Sequence, residues 1–270
     1  MATQIRADTT IQAARLSRPP RLAVILVGED PASVLYVNLK EKAAAECGIA
    51  FEKHVFPEGI AESALVEAIE ALNRREDVDA MIVQLPLPRH VSTDAVIGMM
   101  DPAKDADGFH PESLRRLAEG GRLPGLTEGI MRLIALPGQE LDGEKALVLS
   151  NSEVFAAPLE RALKDRRMQV SRIFDLSDKD YLDRLASEAK VIVTAVGIYG
   201  TITGDMVSDG AIVIDVGTTR TTEGKVAGDV LASDFEERDV WLTPVPGGVG
   251  PVTVAMLLER TVEIAVERQG

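Results

Sequence analysis

The chain has 270 residues, with 29 Lys and Arg against 43 Asp and Glu, so its formal net charge at pH 7 is −14. This excess of negative charge repels phosphate backbones and anionic lipid headgroups, which argues against nucleic-acid or membrane partners and favours a small-molecule ligand. At roughly 150 residues per domain, the length predicts about two domains. The single cysteine excludes an internal disulfide framework. With no apolar run of membrane-spanning length and no secretory signal pattern, we expect a cytoplasmic protein.

Val- and Ile-rich runs alternate with segments of helical period along the chain. This alternation predicts an α/β fold whose mostly parallel sheets are covered by helices. In chain order, the predicted strands are residues 21–27, 51–56, 80–85, 146–149, 171–175, 191–196, 211–216 and 241–245. The predicted helices are about residues 31–47, 61–74 and 253–266.

Three residues mark the ends of the helix that follows the first strand. Asp30 can cap it, Pro31 suits its first position, and Gly48 suits the position just beyond its end. The first twenty residues are ambiguous by comparison. Residues 11–16 could begin a helix, but two prolines follow before it becomes long.

Residues 103–126 are rich in charge, Gly and Pro and interrupt the periodicity. Such a composition is typical of a passage between domains, so we place the crossing from one domain to the other there. Beyond it the pattern restarts as strand, turn and helix, which predicts a second α/β domain.

Tyr36 and Lys40 lie four residues apart in the capped helix, so they project from one face, one turn above the other. A ring and an amine on the same wall could form part of a binding site. From spacing alone, packing of Tyr36 and solvation of Lys40 are the simpler explanation of the pair. The pair becomes informative only together with other motifs.

The predicted third strand ends in Gln84-Leu-Pro-Leu-Pro, where two prolines stop the sheet just after a polar side chain. In open α/β sheets ligands bind at the carboxyl ends of the strands, so Gln84 is well placed to orient one. An ordinary turn is an equally good explanation of the prolines.

Residues 101–111 place three carboxylates in one loop. A calcium loop with Gly108 at its sixth position would need a carboxylate at its twelfth, which is Leu114, so no metal site is expected. A carboxylate beside a glycine can instead accept two parallel hydrogen bonds from an amino-pyrimidine edge, which suits Asp107 and Gly108. The alternative is that Asp-Gly is simply a turn.

The segment from Thr243 to Thr253 contains three Pro and three Gly and leads directly into the last helix. Such a segment is stiff at its prolines and allows close approach at its glycines. Its amides precede a helix N-terminus, which favours anions and dipolar rings. The pattern indicates a specific binding loop rather than a plain linker.

Six motifs occur in an order that is similar to one enzyme family. They are Tyr36-x-x-x-Lys40-x-Lys42-Ala43, Gln84-Leu-Pro-Leu-Pro, Lys104-Asp-Ala-Asp-Gly-Phe-His-Pro, the segment from Gly197 to Met206, Ile214-Asp-Val-Gly, and the segment from Thr243 to Pro251. The chain resembles the bifunctional methylenetetrahydrofolate dehydrogenase/methenyltetrahydrofolate cyclohydrolases of one-carbon metabolism, over about residues 22–266.

The resemblance implies a folate-binding catalytic domain of residues 1–120 and 250–270, and a Rossmann-like dinucleotide-binding domain of residues 121–249. It places a folate cleft where the two domains meet, returns the last helix to the first domain, and suggests a homodimer. Its reactions are the oxidation of 5,10-methylenetetrahydrofolate with NAD(P) and the hydrolysis of 5,10-methenyltetrahydrofolate.

The resemblance also implies roles for single residues. Tyr36 would stack on the aminobenzoyl part of folate, and Asp107 would bind the pterin. Lys40 would serve the cyclohydrolase step with Gln84 holding it, since an amine of lowered pKa can take a proton from, or orient, the attacking water. The further implied substrate residues are Pro246, Gly247, Gly248 and Thr253.

The dinucleotide loop departs from the family pattern. The family's Gly-Arg-Ser-x-x-Val-Gly-Lys-Pro is replaced by Ser150-Asn-Ser-Glu-Val-Phe-Ala-Ala-Pro158, which lacks both glycines and both basic residues. A Cβ on Ser150 and on Ala156 is expected to narrow the approach of the pyrophosphate, and Glu153 adds an opposing charge. We therefore expect weakened dinucleotide binding.

The cofactor preference is predicted from Asp175, the last residue of the predicted strand 171–175. Asp175 could accept a hydrogen bond from a ribose 2′-OH but would repel a 2′-phosphate, so NAD is favoured over NADP. The implied cofactor-binding residues are Ser150, Asn151, Ser152, Asp175, Val196, Gly197 and Thr218.

Three functions are therefore open at this point. The first is a working bifunctional enzyme with a remodelled dinucleotide site. The second is a cyclohydrolase that has lost hydride transfer, and the third is a non-catalytic folate-binding protein. The substrate residues match the family pattern, whereas the cofactor residues do not. The three functions differ in which of the two reactions remains.

Overall fold

The structure of the protein is a computed structural model that describes residues 1–221 and 224–269. The chain divides into two compact units. The first unit is Met1–Gly125 together with Thr253–Gly270, and the second unit is Leu126–Val252. The boundaries at 120/121 and 249/250 that the resemblance implied are close to these and remain a proposal.

The first unit is built on a three-stranded parallel sheet in the order β2-β1-β3. The strands are β1 (Arg21–Val27), β2 (Ala50–Phe56) and β3 (Ala80–Val83). The central strand β1 is an uninterrupted apolar run after Arg21, and six of its seven residues are buried because helices cover both faces of the sheet. All three strands end on one edge, where the loops after β1 and β3 leave the sheet.

Six helices belong to this part of the chain. They are α1 (Ala2–Ala13), α2 (Pro31–Glu46), α3 (Glu62–Asn73), α4 (Thr93–Gly98), α5 (Pro111–Arg116) and the last helix, α9 (Val249–Gln269), whose first four residues lie in the second unit. The predicted ends of α2 are confirmed: Asp30 accepts a hydrogen bond from the Ser33 backbone N–H (2.8 Å), and Gly48 adopts a positive φ.

The second unit contains a five-stranded parallel sheet in the order β10-β7-β6-β4-β5. Its strands are β4 (Lys145–Ser150), β5 (Gln169–Ile173), β6 (Val191–Ala195), β7 (Ile212–Asp215) and β10 (Trp241–Leu242). The helices are α6 (Gly125–Ala135), α7 (Glu153–Asp165) and α8 (Lys179–Glu188). The strand order reverses between β4 and β6, and ligands of such sheets bind at that point.

The structure confirms the predicted fold class and all eight predicted strands, seven of them with shifted ends. A short antiparallel hairpin, β8 (Thr219–Arg220) and β9 (Val226–Ala227), was not predicted, because strands of two residues carry no periodic signal. The last helix begins at Val249 rather than at residue 253. Pro251 lies in its first turn, where a missing N–H leaves no hydrogen bond unmade.

The prediction for the N-terminus was wrong. A helix does not begin at residues 11–16 but occupies Ala2–Ala13 and ends there. Its buried residues are Ile5, Thr9 and Ala13, spaced four apart. Because this buried stripe includes a threonine and an alanine, the hydrophobic pattern did not mark it.

Within residues 1–221 and 224–269, no helix is both long enough and apolar enough to cross a lipid bilayer.

Lys104 is fully buried in the first unit, and its ammonium group donates to three backbone carbonyls at the end of α3, those of Leu72, Asn73 and Arg75 (2.9, 2.8 and 2.7 Å). We expect Lys104→Met to lower the free energy of unfolding by about 2–4 kcal/mol, because those carbonyls lose their charged donor. Urea denaturation followed by circular dichroism measures this. The exposed Lys42→Met is the matched control, and equal stability of the two variants would contradict the expectation.

Candidate active site

The amine of Lys40 lies at the carboxyl edge of the first sheet. Helix α2 brings it there, and its Nζ donates a hydrogen bond to Gln84 Oε1 (2.9 Å). Gln84 is the first residue after β3: its backbone N–H donates to the Ile25 carbonyl and its side-chain N–H to the Leu85 carbonyl, both at 2.8 Å. The two side-chain ends of Gln84 are therefore held, with the oxygen turned to Lys40.

Asp107 lies in a loop that is anchored on both sides. The Ala106 N–H donates to the Met81 carbonyl (3.3 Å), and the Asp107 carbonyl accepts from the Gly125 N–H (3.1 Å). Gly108 has a φ of +79°, and a Cβ there would lie 2.8 Å from Pro124 Cα. Glycine is therefore required beside Asp107 for steric reasons as well as conformational ones.

The neighbouring Asp105 holds the same loop from within. Its buried carboxylate accepts from the backbone N–H groups of Gly108 (2.9 Å) and His110 (2.8 Å) and from the Ser113 hydroxyl (3.0 Å). Asp105 makes the turn, which leaves the Asp107 carboxylate for another partner.

Lys40 and Asp107 perturb each other. Burial lowers the pKa of the Lys40 ammonium, and the charge of Asp107 opposes that change. Burial raises the pKa of the Asp107 carboxyl, with Lys40 opposing and Asp105 adding to the rise. An amine that gives up its proton more readily than in water, next to a carboxylate, suits acid–base work on a bound molecule.

Tyr36 is half-buried on the same face of α2 as Lys40, one turn earlier. The structure therefore brings three predicted residues, Lys40, Gln84 and Asp107, into one cluster and places Tyr36 beside it. Metal chemistry was not predicted, and the described residues contain no group of three His, Cys, Asp or Glu side chains that could hold a metal ion.

The other predicted substrate residues lie around the start of α9. Pro246, Gly247 and Gly248 form a turn at the end of the second unit, and Thr253 is the first residue of the chain's return to the first unit. The Gly248 N–H donates to the Pro244 carbonyl (2.8 Å), and a Cβ on Gly248 would lie 2.5 Å from that oxygen. The turn therefore has room for no side chain at residue 248.

The predicted cofactor loop follows β4 and is closed on itself. The Ser150 side chain is buried, and its hydroxyl accepts from the Ser152 N–H (3.0 Å) and donates to the Ser152 carbonyl (3.2 Å). Ser152 in turn caps α7 by accepting from the Phe155 N–H (3.4 Å). Ala156 is fully buried in α7. The expectation that the Cβ atoms of Ser150 and Ala156 narrow the approach of the pyrophosphate stays a prediction.

The loops after β6 and β7 carry the remaining predicted cofactor residues. The exposed Asn151 donates through Nδ2 to the Val196 carbonyl (3.3 Å), which links the exits of β4 and β6. Gly197 is exposed with a φ of +74°, and a Cβ there would meet no atom within 4 Å. Thr218 is exposed beyond β7. The backbone at Gly197 is therefore open to a ligand.

Two charged groups flank the exit of β5. Asp175 is exposed, and its Oδ1 accepts from the Ser177 N–H (2.9 Å), which lowers the pKa of its carboxyl. Glu153 accepts from Arg172 (2.8 Å), so the opposing charge predicted for Glu153 is partnered.

Sequence reasoning did not assign a role to Asp229. It is fully buried, and its carboxylate accepts three hydrogen bonds from the strand β6 and its exit loop. The available signal was an aspartate between Gly228 and Val230, in a segment for which no element was predicted. An aspartate in this position is recognised as buried only when the positions of the neighbouring loops are known.

Two family models match the chain. The tetrahydrofolate dehydrogenase/cyclohydrolase catalytic domain matches residues 1–107, and the NAD(P)-binding domain of the same family matches residues 124–269. The chain is also similar to the bifunctional protein FolD 1 of Hydrogenovibrio crunogenus, with 42% identity over 265 residues, which are 97% of this chain and 92% of that protein.

Solved structures agree with this similarity. The bifunctional methylenetetrahydrofolate dehydrogenase/cyclohydrolase FolD from Campylobacter jejuni is 37% identical with a TM-score of 0.93, covering 99% of this chain and 96% of that one. The Trypanosoma brucei enzyme, solved with NADP and an inhibitor, is 31% identical with a TM-score of 0.93, covering 98% and 95%.

Proposed function

Because the chain belongs to the tetrahydrofolate dehydrogenase/cyclohydrolase family, we propose that Lys40, Gln84 and Asp107 carry its hydrolytic step and that NAD is the hydride acceptor of its oxidative step. The enzyme acts in one-carbon folate metabolism. It oxidises 5,10-methylenetetrahydrofolate to 5,10-methenyltetrahydrofolate with NAD(P) and hydrolyses the latter to 10-formyltetrahydrofolate.

The observation that carries the hydrolytic proposal is the bond from Lys40 Nζ to Gln84 Oε1 beside the Asp107 carboxylate. The methenyl carbon is electrophilic and amidinium-like, so hydrolysis needs a water that is oriented and relieved of a proton. Burial lowers the pKa of Lys40, so a larger share of its amine is neutral than in water. Gln84 fixes the direction of that amine, and Tyr36 offers a ring on the same wall.

Asp107 suits recognition of the pterin. Its two oxygens can accept parallel hydrogen bonds from an amino-pyrimidine edge, and Gly108 beside it has no side chain to obstruct the ring. Pro246, Gly247, Gly248 and Thr253 complete the proposed substrate residues. Their role rests on the family resemblance and on the stiffness of the turn before α9.

Three features of the second unit suit the binding of a dinucleotide. The exits of β4 and β6 flank the point where the strand order reverses, the backbone at Gly197 is open, and α7 offers its N-terminus. The proposed contacts are Ser150, Asn151, Ser152, Asp175, Val196, Gly197 and Thr218. When bound, the nicotinamide supplies the hydride acceptor, and the role of these residues is to hold it in position.

NAD is favoured over NADP by the charge of Asp175. Its pKa is lowered, so the carboxylate is ionised at neutral pH and would repel a 2′-phosphate. We expect methylenetetrahydrofolate oxidation, followed by the absorbance of the reduced cofactor, to be faster with NAD than with NADP. Asp175→Asn keeps the bond from Ser177 and removes the charge, so the ratio of kcat/KM for NAD to that for NADP should fall by about tenfold.

The control for that measurement is Asp180→Asn, which removes an exposed carboxylate five positions further along the chain. It should leave the cofactor ratio unchanged. A parent enzyme that prefers NADP, or an Asp175→Asn variant whose ratio does not move, would contradict the NAD proposal.

A narrower function, hydrolysis without hydride transfer, is favoured by hydrogen bonds that close the predicted cofactor loop on itself. Asn151 bridges to the Val196 carbonyl at the exits of β4 and β6, and Ser150 and Ser152 bond to each other within the loop. Absence of reduced NAD and reduced NADP at millimolar cofactor, with hydrolysis retained, would establish that function. Folate binding without either reaction, the third alternative, would appear as binding with no turnover.

Quaternary structure and location are further proposals. The family resemblance suggests a homodimer, which sedimentation of the purified protein measures. A cytoplasmic location is supported by the single cysteine, Cys47, which is buried and has no partner for a disulfide bond within the chain.

A further inference from the structure

Two buried aspartates stand at the exits of the central strands of the second unit. Asp215 is the last residue of β7, and Asp229 follows the hairpin strand β9. Their exposures are 3% and 0%. Neither belongs to the residues proposed above to bind substrate or cofactor.

Asp229 ties the β6 exit to the segment after the hairpin. Its Oδ2 accepts from the Thr194 hydroxyl (2.7 Å) and the Val196 N–H (2.8 Å), and its Oδ1 accepts from the Ile198 N–H (2.9 Å). These bonds fix the backbone on both sides of Gly197. A carboxylate with three donors around it is the geometry that holds a loop in one conformation.

Asp215 in turn holds Asp229. Its Oδ1 accepts from the Asp229 N–H and the Gly217 N–H (both 3.0 Å), and its Oδ2 accepts from the Val230 N–H (2.9 Å). The bond from Gly217 fixes the residue just before Thr218. The two carboxylates thus connect the β6 exit, the β7 exit and the segment after β9 into one network.

Two glycines make room for this network. A Cβ on Gly217 would overlap the Asp229 carboxylate, and a Cβ on Gly228 would overlap the Asp215 carboxylate. Any side chain at either position would displace a carboxylate from its donors. The glycines of Asp-Val-Gly and Gly-Asp-Val therefore serve the packing of the two acids rather than a turn.

The arrangement is costly for stability. Within residues 1–221 and 224–269, neither acid forms an ion pair, and backbone N–H groups and one hydroxyl take the place of a cation. Burial raises the pKa of Asp215 to about 6, and the charge of Asp229 contributes to the rise. Buried, unpaired charges of this kind weaken a fold more than apolar side chains of similar size would. Their presence points to a positional role.

We propose that Asp229 is a positioning residue of the dinucleotide site, holding Val196 and Gly197 for the nicotinamide cofactor, with Asp215 holding Asp229 in place. This inference rests on the proposed role of residues 196, 197 and 218 in cofactor binding. It assigns to Asp229 no contact with cofactor or substrate. Its effect is transmitted through the backbone N–H groups of Val196 and Ile198.

Asp229→Asn tests the proposal because it keeps the size of the side chain and replaces one acceptor oxygen by a donor, which then faces an N–H group. We expect the KM for the preferred cofactor to rise by about tenfold or more, as expected for the loss of a charge-assisted bond. The kcat/KM for methenyltetrahydrofolate hydrolysis should stay within about twofold, since Lys40, Gln84 and Asp107 belong to the first unit. The matched control is Asp234→Asn, whose carboxylate accepts from the Gly204 N–H and should leave both values unchanged.

A second variant covers the case in which Asp229→Asn does not fold. Thr194→Val removes a single donor to Asp229 Oδ2 with little change of shape, and a KM increase of about threefold is expected. An unchanged cofactor KM in the folded variants would overturn the proposal. So would equal losses of oxidation and hydrolysis, because those indicate a purely structural role. If the parent enzyme reduces neither NAD nor NADP, both the proposed oxidative function and this inference are contradicted. An unchanged cofactor KM, or equal losses of the two reactions in the variants, contradicts this inference alone, because the parent still oxidises methylenetetrahydrofolate.

Discussion

Lys40→Met is expected to lower kcat/KM for the hydrolysis of methenyltetrahydrofolate by about 10²–10⁴-fold, the range for loss of a general acid–base group. Methionine has a similar length but cannot take a proton or hold a water. Gln84 Oε1 also loses the donor it faces at 2.9 Å. Oxidation of methylenetetrahydrofolate should fall far less, because hydride transfer depends on positioning rather than on a proton acceptor.

Lys42→Met is the control for this experiment. It removes a lysine from the same helix two residues away, where the side chain is exposed. Hydrolysis, measured by the loss of methenyltetrahydrofolate absorbance after subtraction of the spontaneous rate, should be unchanged in the control. A Lys40→Met variant as fast as the parent would show that the amine is not part of the hydrolytic step.

Asp107→Asn is expected to raise the KM for both folate substrates by about 10²-fold, since an amide cannot accept two parallel hydrogen bonds and loses the charge that strengthens them. Its second effect concerns Lys40. The Asp107 charge raises the pKa of Lys40 against the effect of burial, so removing that charge lowers this pKa further. More of the amine is then neutral at a given pH.

The pH dependence of hydrolysis checks the sign of this coupling. If the neutral amine is the active form, kcat of the parent rises as the pH increases through the lowered pKa of Lys40, and the limb lies below the ordinary value for lysine. In Asp107→Asn the same limb should move to lower pH. A limb that moves to higher pH, or a substrate KM that equals that of the parent, would contradict the proposed pair.

Local signals in the sequence were sufficient for several elements. The apolar run of β1 predicted a buried parallel strand, and Asp30, Pro31 and Gly48 predicted the ends of α2, because capping and glycine conformations depend on a few neighbouring residues. Helix spacing also placed Tyr36 and Lys40 on one face. These features need no knowledge of distant parts of the chain.

Other features could not be predicted locally. The stripe of Ile5, Thr9 and Ala13 becomes visible only when α1 is packed, since two of the three residues are small or polar. Likewise, Asp105 rather than Asp107 makes the turn of the 101–110 loop, because the donors from Gly108, His110 and Ser113 converge on it.

The sequence by itself determined the α/β alternation, the ends of α2 and the motifs that define the family, all of which depend on neighbouring residues or on fixed spacing. Tertiary structure alone decided that Gln84 Oε1 faces Lys40 and that Asp215 and Asp229 join three loops. These contacts join residues 14 to 44 positions apart. Burial, which lowers the pKa of Lys40 and raises the pKa of Asp107, likewise exists only once the sheets and their covering helices have packed.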